Sequence, residues 1–324
     1  MITLLPFRPP STDRWQATRV LLLVDYSNLL YQSYFSGSKS WADRPWLPIL
    51  RFMDSLRLCI QRSKVDGAPM EVIFAGESRK KLERTKMDAS YKAQRHPIDH
   101  DVFRHFRKNM ALLIEDMGTK ILSRDGAEAD DVIASITGYI CHECTCLNRD
   151  LCSTCYHKDK HTTDVVIFTN DRDLNQLLRY DRCYIYRSPG FFYTRENFID
   201  EYGFHPNKYN LYKAMVGDKS DNISGVTGIG PVTATQYIKD GNVPTDDPEF
   251  VKSLKLIELD YNLDVPIEGA TLEFDELLSK SRNDILAAYG DHPYAVDEIH
   301  LGFLILKEAY NDANNGNSNS RSIL

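Results

Sequence analysis

The sequence predicts an α/β fold with a mostly parallel central sheet flanked by helices. Short continuous apolar runs, such as Arg19–Asp25 and Asp164–Thr169, are typical of strands buried on both faces of a parallel sheet. Segments with helical periodicity alternate with these runs, as they do in strand–helix–strand units. Acidic residues directly follow several of the runs. We therefore expect them to gather at the carboxyl edge of one sheet, where such folds bind ligands.

The α/β domain is predicted to occupy residues 20–190, after an irregular extension over residues 1–19. The predicted strands are Arg19–Asp25, Glu71–Ala75, Thr119–Leu122, Asp164–Thr169 and Cys183–Tyr186. The predicted helices are Tyr26–Phe35, Trp46–Arg62, most of 78–117, Ala129–Ile140 and one that begins at Leu174. The spacing of apolar residues distinguishes the two kinds of element, since it is close to two residues in a half-buried strand and 3.6 residues in a helix.

A second, helical domain is predicted over residues 191–310, because strand patterns are hard to find after Thr194. Helical periodicity fits Asn207–Val216 and, approximately, 247–260, 272–289 and 295–311. The last residues, 311–324, are polar and of low complexity, so we expect a flexible tail there.

Composition and charge restrict the class of protein. The 324 residues contain no apolar run near the ~20 residues of a membrane span, and the N-terminus does not resemble a signal peptide. We therefore expect a cytoplasmic protein with no membrane partner. The net charge of −7 argues weakly against nucleic acid, but Arg79–Lys108 holds ten Lys or Arg against four Asp or Glu. An acidic pocket beside this basic segment would suit a phosphate-rich substrate held by cations.

Eight acidic residues stand in groups at the predicted ends of elements. They are Asp25, Glu128, Asp130, Asp131, Asp171, Asp173, Asp218 and Asp221. Acids also serve as helix caps, because the helix dipole favours them at a helix start. Acid groups at four successive element ends nevertheless favour a metal site, since Mg²⁺ or Mn²⁺ takes oxygen ligands. Two such ions about 3.5–4 Å apart can hold a phosphodiester between them, which predicts a two-ion pocket.

A glycine-rich turn follows the last acidic group. Gly225, Gly228 and Gly230 allow a tight turn, and Pro231 is suited to begin the next helix. Amides at that helix start can bind a phosphate oxygen. The spacing is similar to that of a dinucleotide-binding turn, but no strand leads into it, so that interpretation fails. A plain turn between helices is the alternative.

The basic segment offers contacts for nucleic acid. Its cations include Arg79, Lys80, Lys81, Arg84, Lys86, Lys92 and Arg95. Cations bind phosphates, and Tyr91 in their midst could stack on an exposed base. The alternative is a solvated helix face, because charge patterning alone is weakly specific.

A cysteine-rich insert is predicted over about 141–161. Five of the seven cysteines fall there, and two Cys-x-x-Cys pairs are formed by Cys141, Cys144, Cys152 and Cys155. Without a secretory signal, this crowding favours a structural zinc site with four thiolates over disulfides. Since only seven residues separate the pairs, Cys146, His157 or His161 could replace one thiolate. Free thiols in a loop are the alternative.

Five motifs follow one another between about residues 20 and 240. They are Val24–Asn28, Tyr91–Arg95, Glu128–Asp131, Thr169–Leu177 and Gly217–Pro231. Together they resemble the 5′-nuclease, or flap endonuclease, family, most closely its bacteriophage members and the 5′-nuclease domains of bacterial DNA polymerases. The resemblance implies a PIN-like fold with a helical arch over about 78–117. It also implies a helix-three-turn-helix over 218–240 that binds duplex DNA, often with K⁺.

The resemblance implies roles for individual residues. The first metal site would use Asp25, Glu128 and Asp130, with Asp131 adjacent, and the second would use Asp171, Asp173, Asp218 and Asp221. Lys92 and Arg95, beside Tyr91, would steer the scissile phosphate at the base of the arch. DNA contacts are expected at Arg79, Lys80, Lys81, Arg84, Gly228, Gly230 and Thr233, and K⁺ at the carbonyls of Val226 and Ile229.

One position departs from the family. Its members usually have Asp directly after the Phe of the second strand, whereas Ala75 follows Phe74 here. We expect Glu77, which has a longer reach, to take the missing role directly or through water. The alternative is weakened binding at the first metal site.

The expected function is that of a metal-dependent 5′→3′ exonuclease and structure-specific 5′-flap endonuclease acting on DNA flaps and RNA primers in replication or repair. The expected partners are branched DNA, RNA–DNA primer ends and a replisome protein such as a single-strand-binding protein. The expected location is the cytoplasm of a bacterium infected by a bacteriophage. Two rivals stay open: a structured-RNA nuclease, and a structure-specific DNA-binding protein whose catalysis Ala75 impairs.

Overall fold

A six-stranded sheet forms the centre of the chain. The computed structural model describes residues 17–36, 44, 46–94, 101–141, 162–188, 190–267, 272, 274, 284 and 293–315. The strands are β1 (Arg19–Asp25), β2 (Met70–Ala75), β3 (Ile121–Leu122), β4 (Thr163–Phe168), β5 (Cys183–Arg187) and β6 (Phe191–Tyr193). They lie in the order β3-β2-β1-β4-β5-β6, and only the β5–β6 pair is antiparallel among the described strands. The predicted α/β fold is therefore confirmed.

Helices connect the strands and continue after them. Those before β4 are α1 (Tyr26–Phe35), α2 (Leu47–Ser63), α3 (Glu83–Met87), α4 (Asp101–Asp116) and α5 (Ala129–Cys141). Those after β6 are α6 (Arg195–Tyr202), α7 (Tyr209–Val216), α8 (Pro231–Asp240), α9 (Pro248–Ile257) and α10 (Pro293–Asn314). Short 3-10 helices cover Asp173–Arg179 and Pro206–Lys208. Among the described residues, none of these helices is long and apolar enough to cross a membrane.

Helices cover both faces of the sheet. Successive residues of a strand point to opposite faces. Leu22 and Val24 of β1 lie in the core that α2 and α10 complete, whereas Leu21 and Leu23 lie in the core that α5 completes. Since β1 is buried on both sides, its sequence is a continuous apolar run rather than an alternating one.

The chain reverses its path across the sheet at β1. It runs from β1 to β2 and β3 on one side, and then returns to β4 and β5 on the other side. Ligands of open α/β sheets bind in the crevice at such a point, beyond the carboxyl ends of the strands. Asp25 ends β1 and Thr169 directly follows β4, so the acidic residues lie at this crevice.

A smaller core joins the helices after the sheet. Its buried residues include Ala214, Met215, Ala234, Phe250 and Tyr91. Tyr91 comes from the basic segment, so this core fastens that segment to α7, α8 and α9. The loop 217–230, which contains two acidic residues and the glycine-rich turn, connects α7 to α8.

Several elements differ from the sequence-based predictions. The predictions lacked β6 and α6, because β6 has only three residues and α6 is mostly polar. The sheet therefore continues past residue 190, to Tyr193. The helix–turn–helix unit begins at Tyr209, earlier than the predicted 218, and its loop 217–230 is not helical.

The predictions for the basic segment and the C-terminus also need correction. Residues 78–117 are less helical than predicted, because only α3 and α4 are helical within the described part of this range. Residues 95–100 and most of the predicted helix 272–289 lie outside the described residues. The predicted tail begins too early, since α10 extends to Asn314, whose Oδ1 accepts the amide of Met70 at 2.7 Å.

Candidate active site

Asp25 connects the end of β1 to α1 and to the loop after β4. Its buried carboxylate accepts the amide of Asn28 at 3.0 Å and thereby caps α1. Its Oδ2 accepts the hydroxyl of Thr169 at 2.9 Å, and this hydroxyl accepts the amide of Asp171 at 3.0 Å. Thr169, which begins one of the five motifs but was not a predicted site residue, therefore brings Asp171 toward Asp25.

Three acidic residues stand where the loop after β3 enters α5. Gly126, with φ of +78°, turns the chain just before them. Glu128 and Asp131 are buried and Asp130 is half-buried. The Asp131 carboxylate accepts the amide of Glu128 at 3.2 Å, so it also serves the local fold as a cap.

Arg84 lies inside this acidic group. Its side chain is only 9% exposed, and Nη1 donates to Glu128 at 2.8 Å and to Asp131 at 2.6 Å. The prediction that Arg84 contacts DNA is therefore wrong, because its guanidinium is enclosed and binds carboxylates of the protein. A basic segment in the sequence does not reveal which of its cations is turned inward.

Lys213 forms ion pairs with two further acidic residues, Asp173 and Asp218. Asp173 lies in the 3-10 helix after β4, and Asp218 lies in the loop 217–230. Lys213 of α7 is buried, and its Nζ donates to both carboxylates. Lys213 was absent from the predicted site, and its only signal in the sequence is its position on a mostly apolar helix shortly before Asp218.

Tyr91 and Lys92 connect the two acidic groups. The hydroxyl of Tyr91 donates to Glu128 at 2.8 Å and lies 3.1 Å from Asp221. The ammonium of Lys92 pairs with Glu128 and lies 3.7 Å from Asp221. The ring of Tyr91 is buried, so stacking on an exposed base is excluded and this residue is a hydrogen-bond donor inside the cluster.

The loops that carry these residues also bind each other through their backbones. The amide of Lys92 donates to the carbonyl of Asp221 at 2.9 Å, and the side-chain amide of Asn222 donates to the carbonyl of Ser90 at 2.8 Å. Lys92 and Asn222 have φ of 55° and 59°, left-handed values that cost about 1–3 kcal/mol in non-glycine residues. These contacts hold both residues in that conformation, with Lys92 directed into the cluster.

Burial and crowding set the protonation of the carboxylates. Burial raises the pKa of Asp25 to about 7, and the charge of Asp171 adds to the shift. Burial, followed by the charges of Asp171 and Asp25, also raises the pKa of Asp130. Burial raises the pKa of Asp173 to about 7 although Lys213 opposes the shift. More positive charge at this site would lower all three pKa values.

These pKa values predict how the stability of the metal-free protein depends on pH. Asp25 and Asp173 bind protons in the folded state up to about pH 7, whereas their ordinary pKa is 3.8. Their stabilising contribution is therefore complete below about pH 4 and is lost as the pH rises through about 7. In EDTA, we expect Tm to fall between about pH 5 and 8, with a shallower fall in Asp25→Asn. An equal slope in that variant would contradict the assignment.

The carboxylates have the donor chemistry of a hard divalent cation. Among the described residues, no three His, Cys, Asp or Glu side chains are already arranged to hold a metal ion. The ammonium groups of Lys92 and Lys213 bind carboxylates of the cluster instead. Carboxylate oxygens are the ligands that hard divalent cations such as Mg²⁺ and Mn²⁺ take, so the residues present fit such an ion.

Ala75 lies directly beside Asp25. The two residues are register partners on neighbouring parallel strands, and both belong to the α5 side of the sheet. Ala75 is fully buried, so a carboxylate at this position would stand next to that of Asp25. Glu77 is exposed, two residues beyond the end of β2. Its compensating role stays a prediction.

The other predicted DNA contacts lie at the surface. Arg79, Lys80, Lys81, Gly228, Gly230 and Thr233 are exposed, as nucleic-acid contacts must be. The carbonyl of Val226 accepts the amide of Ile229 at 3.1 Å, which closes one turn of the loop 217–230. The K⁺ site at these carbonyls stays a prediction.

The predicted zinc site lies almost wholly beyond the described residues. Cys141 ends α5, is half-buried and forms no disulfide with another described cysteine, and burial raises its pKa to about 12. The predicted site residues that lie outside the described part of the chain are Arg95, Cys144, Cys146, Cys152, Cys155, His157 and His161.

Relatives in sequence agree with the motifs. A DNA polymerase I of Thermus thermophilus is 32% identical over 225 residues, which cover 68% of this chain and 24% of that protein. The chain thus spans about a quarter of this relative's length. A 5′-3′ exonuclease of Halalkalibacterium halodurans is 28% identical over 286 residues, which cover 82% of this chain and 88% of that protein.

A solved structure has the same fold. The 5′-exonuclease of bacteriophage T5, determined with divalent metal ions (zinc) bound, superimposes with a TM-score of 0.54 at 20% identity, covering 89% of this chain and 99% of that one. The T5 flap endonuclease has also been solved with DNA and metal ions, and it superimposes with a TM-score of 0.51 at 19% identity, covering 92% and 99%. The family described as 5′-3′ exonuclease, N-terminal resolvase-like domain, matches residues 20–203, and the chain belongs to this family.

Proposed function

We propose that the protein is a metal-dependent 5′→3′ exonuclease and 5′-flap endonuclease. The observation that carries the proposal is the convergence of buried and half-buried carboxylates at the sheet crevice. Asp25 from β1, Asp171 after β4 and Asp130 at the start of α5 interact electrostatically with one another. Three like charges in a buried crevice are unfavourable without a cation, and such an arrangement is typical of metal-assisted hydrolysis.

Two groups of residues would hold the ions. Asp25, Glu128 and Asp130 would hold one, and Asp171, Asp173, Asp218 and Asp221 would hold the other. When bound, Mg²⁺ or Mn²⁺ would supply Lewis acidity, by activating water and stabilising the leaving oxygen. Asp131 would stay a structural partner of Arg84, whose two terminal nitrogens donate to its two oxygens, and it also accepts the amide of Asp260.

Lys92 would bind and orient the scissile phosphate. Burial opposes its charge, but Glu128 and Asp221 raise the pKa of Lys92, so the ammonium stays protonated at neutral pH. A half-buried cation next to the carboxylates can exchange one carboxylate contact for a phosphate oxygen. Tyr91 would help to keep Glu128 and Asp221 in place, because its hydroxyl lies within hydrogen-bond distance of both carboxylates.

The substrate would be DNA with a 5′ flap, a nick or an RNA primer. The exposed glycines of the loop 217–230 allow a phosphate backbone to approach closely, and Arg79, Lys80 and Lys81 add positive charge. A structured-RNA nuclease is the second candidate that the acidic pocket alone would allow. The helix–turn–helix unit α7–α8 favours duplex DNA.

A panel of labelled substrates tests this proposal. We expect cleavage of a 5′-flap DNA, a nicked duplex and an RNA-primed duplex in Mg²⁺, with products released from the 5′ side. Little cleavage is expected for a structured RNA without a flap. Faster cleavage of the structured RNA would replace the proposal by the RNA nuclease. Tight flap binding without cleavage would replace it by the DNA-binding protein.

The position of Ala75 gives a second prediction. Ala75→Asp would place a carboxylate beside Asp25, so we expect the Mg²⁺ concentration for half-maximal cleavage to fall by about tenfold or less. If Glu77 compensates in the wild type, Glu77→Ala should raise that concentration, and Ala75→Asp should cancel the effect in the double variant. Glu71→Ala, at the other end of β2, is the matched control. An unchanged Glu77→Ala would eliminate the compensating role.

The cysteine-rich insert would bind one structural Zn²⁺ through Cys141, Cys144, Cys152 and Cys155. The spacing of its two Cys-x-x-Cys pairs supports this proposal. We expect about one zinc per chain in purified protein by plasma mass spectrometry. Its absence would leave free thiols, and retention of zinc in Cys141→Ser would favour a replacement ligand.

A further inference from the structure

Arg84 holds two carboxylates of the cluster in a fixed orientation. Its Nη1 donates to Glu128 at 2.8 Å, and its two nitrogens donate to the two oxygens of Asp131 at 2.6 and 2.7 Å. All three side chains are buried. A guanidinium is planar and binds carboxylates through paired donors, whereas a lysine ammonium offers a single point of charge. The orientation of Glu128 therefore depends on the planar guanidinium group of Arg84.

Besides its three hydrogen bonds to carboxylates, Arg84 donates a fourth to a backbone carbonyl just after α9. Nη2 donates to the carbonyl of Glu258 at 2.7 Å. Glu258 begins an extended segment, residues 258–264, which we call the strap. The amide of Asp260 donates to Asp131 at 3.0 Å, and its carbonyl accepts the hydroxyl of Ser135 at 2.8 Å. Ser135 also accepts the amide of Leu263 at 3.1 Å. Three hydrogen bonds thus connect Asp131 and Ser135 of α5 to the strap.

The strap continues directly from the helices that carry the glycine-rich turn. Phe250 and Ile257 of α9 share a buried core with Val226 of the loop 217–230. Glu249 of α9 accepts the amide of Thr227 at 2.7 Å and its hydroxyl at 3.1 Å. A continuous set of contacts thus runs from the loop 217–230 through α9 and the strap to Arg84 and Glu128.

We propose that Arg84 is a positioning residue that orients Glu128, and that the strap makes this orientation depend on the seating of α9 against α5. The inference rests on the proposed function, because it assigns Glu128 to the metal-binding site. Arg84 acts through Glu128 and touches no substrate. The strap gives the helical region a physical connection to the carboxylates that is independent of Lys92 and Tyr91.

Arg84→Lys tests whether Arg84 orients Glu128, and Arg182→Lys is its matched control. Arg182 pairs with the buried Asp164 at 2.7 Å, at the start of β4 and thus at the opposite end of the strands. We expect Arg84→Lys to weaken Mn²⁺ binding, measured by calorimetry without DNA, by about 10–100-fold. Single-turnover cleavage of flap DNA should fall by a similar factor, with Kd for the DNA in Ca²⁺ unchanged. Arg182→Lys should match the wild type in all three measurements.

Ser135→Ala tests the strap without altering a charge. It removes both side-chain bonds to the strap, and Ser33→Ala, a buried serine on α1, is its control. We expect Mn²⁺ affinity to fall, but by less than in Arg84→Lys. Hydrogen exchange at the amides of Asp260 and Leu263 should also become faster. Unchanged Mn²⁺ affinity despite faster exchange would overturn the role of the strap.

The outcomes separate this inference from the proposed function. If wild-type protein binds Mn²⁺ and cleaves the flap, but Arg84→Lys behaves like Arg182→Lys, the positioning role is overturned and the proposed function stands. If the wild type neither binds Mn²⁺ nor cleaves, both fall. If Arg84→Lys does not fold, Ser135→Ala decides alone: a shifted Mn²⁺ affinity supports the inference, and an unshifted one overturns it.

Discussion

Replacement of Asp130 by asparagine is expected to reduce cleavage of a 5′-flap DNA by about 10²–10³-fold, because it removes a negative charge that would bind the cation at the centre of the carboxylate group. Burial raises the pKa of Asp130, the charges of Asp171 and Asp25 add to the shift, and Lys92 and Glu128 also interact with it. Asparagine keeps the shape of the side chain but offers a divalent cation a neutral oxygen. Single-turnover cleavage in Mg²⁺ measures the loss.

The same substitution should stabilise the metal-free protein. Burial and like charge oppose ionisation of Asp130, so asparagine relieves repulsion there and Tm in EDTA should rise. Opposite changes in Tm and in cleavage exclude misfolding as the cause of inactivity. Asp164→Asn is the control, since Asp164 is a buried carboxylate at the start of β4, away from the crevice. Cleavage by Asp130→Asn at the rate of this control would contradict the assignment.

Replacement of Lys213 by methionine should have the largest effect on stability. Its ammonium pairs with Asp173 and Asp218, and its side chain is 10% exposed. Removal of one partner from a buried ionic group costs about 3–5 kcal/mol, because charge is left without compensation. We expect a loss of this size in the free energy of unfolding, measured with urea in EDTA at pH 8.

Mg²⁺ should recover part of that loss. A divalent cation that binds the folded state can replace the missing positive charge between Asp173 and Asp218. The stabilisation by Mg²⁺ should therefore be larger in Lys213→Met than in the wild type. Lys208→Met, at an exposed lysine before the same helix, should change neither quantity. Equal stabilisation of both variants would show that Lys213 does not stand in for a metal charge.

The sequence predicted the fold well where residue patterns reflect burial. The strand Arg19–Asp25 is a continuous apolar run because helices cover both of its faces, and the structure has it at the same bounds. Thr119 and Lys120, which were expected to begin the third strand, lie outside β3. β6 escaped notice because three residues at a sheet edge, with Phe191 half-exposed, carry no distinct period.

The carboxylates of the site were predictable, but their partners were not. Acidic residues at the ends of parallel strands must meet, so Asp25 and Asp171 could be paired from the sequence alone. The inward turn of Arg84 and the burial of Lys213 depend on tertiary contacts with the strap and the loop 217–230. A local pattern cannot separate a solvated cation from one that neutralises buried acids. It also could not show that the ring of Tyr91 is buried, which excludes the predicted stacking on a base.

Cleavage of a 5′-flap DNA as a function of Mg²⁺ concentration, compared between the wild type and Asp171→Ala, tests the central claim most directly. The claim is that the carboxylates at the strand ends hold divalent cations that enable phosphodiester hydrolysis. The predicted result is no cleavage in EDTA, a steep rise with Mg²⁺ in the wild type, and loss of that rise in Asp171→Ala. Cleavage that persists in EDTA, or an Asp171→Ala variant as active as the wild type, would contradict the account.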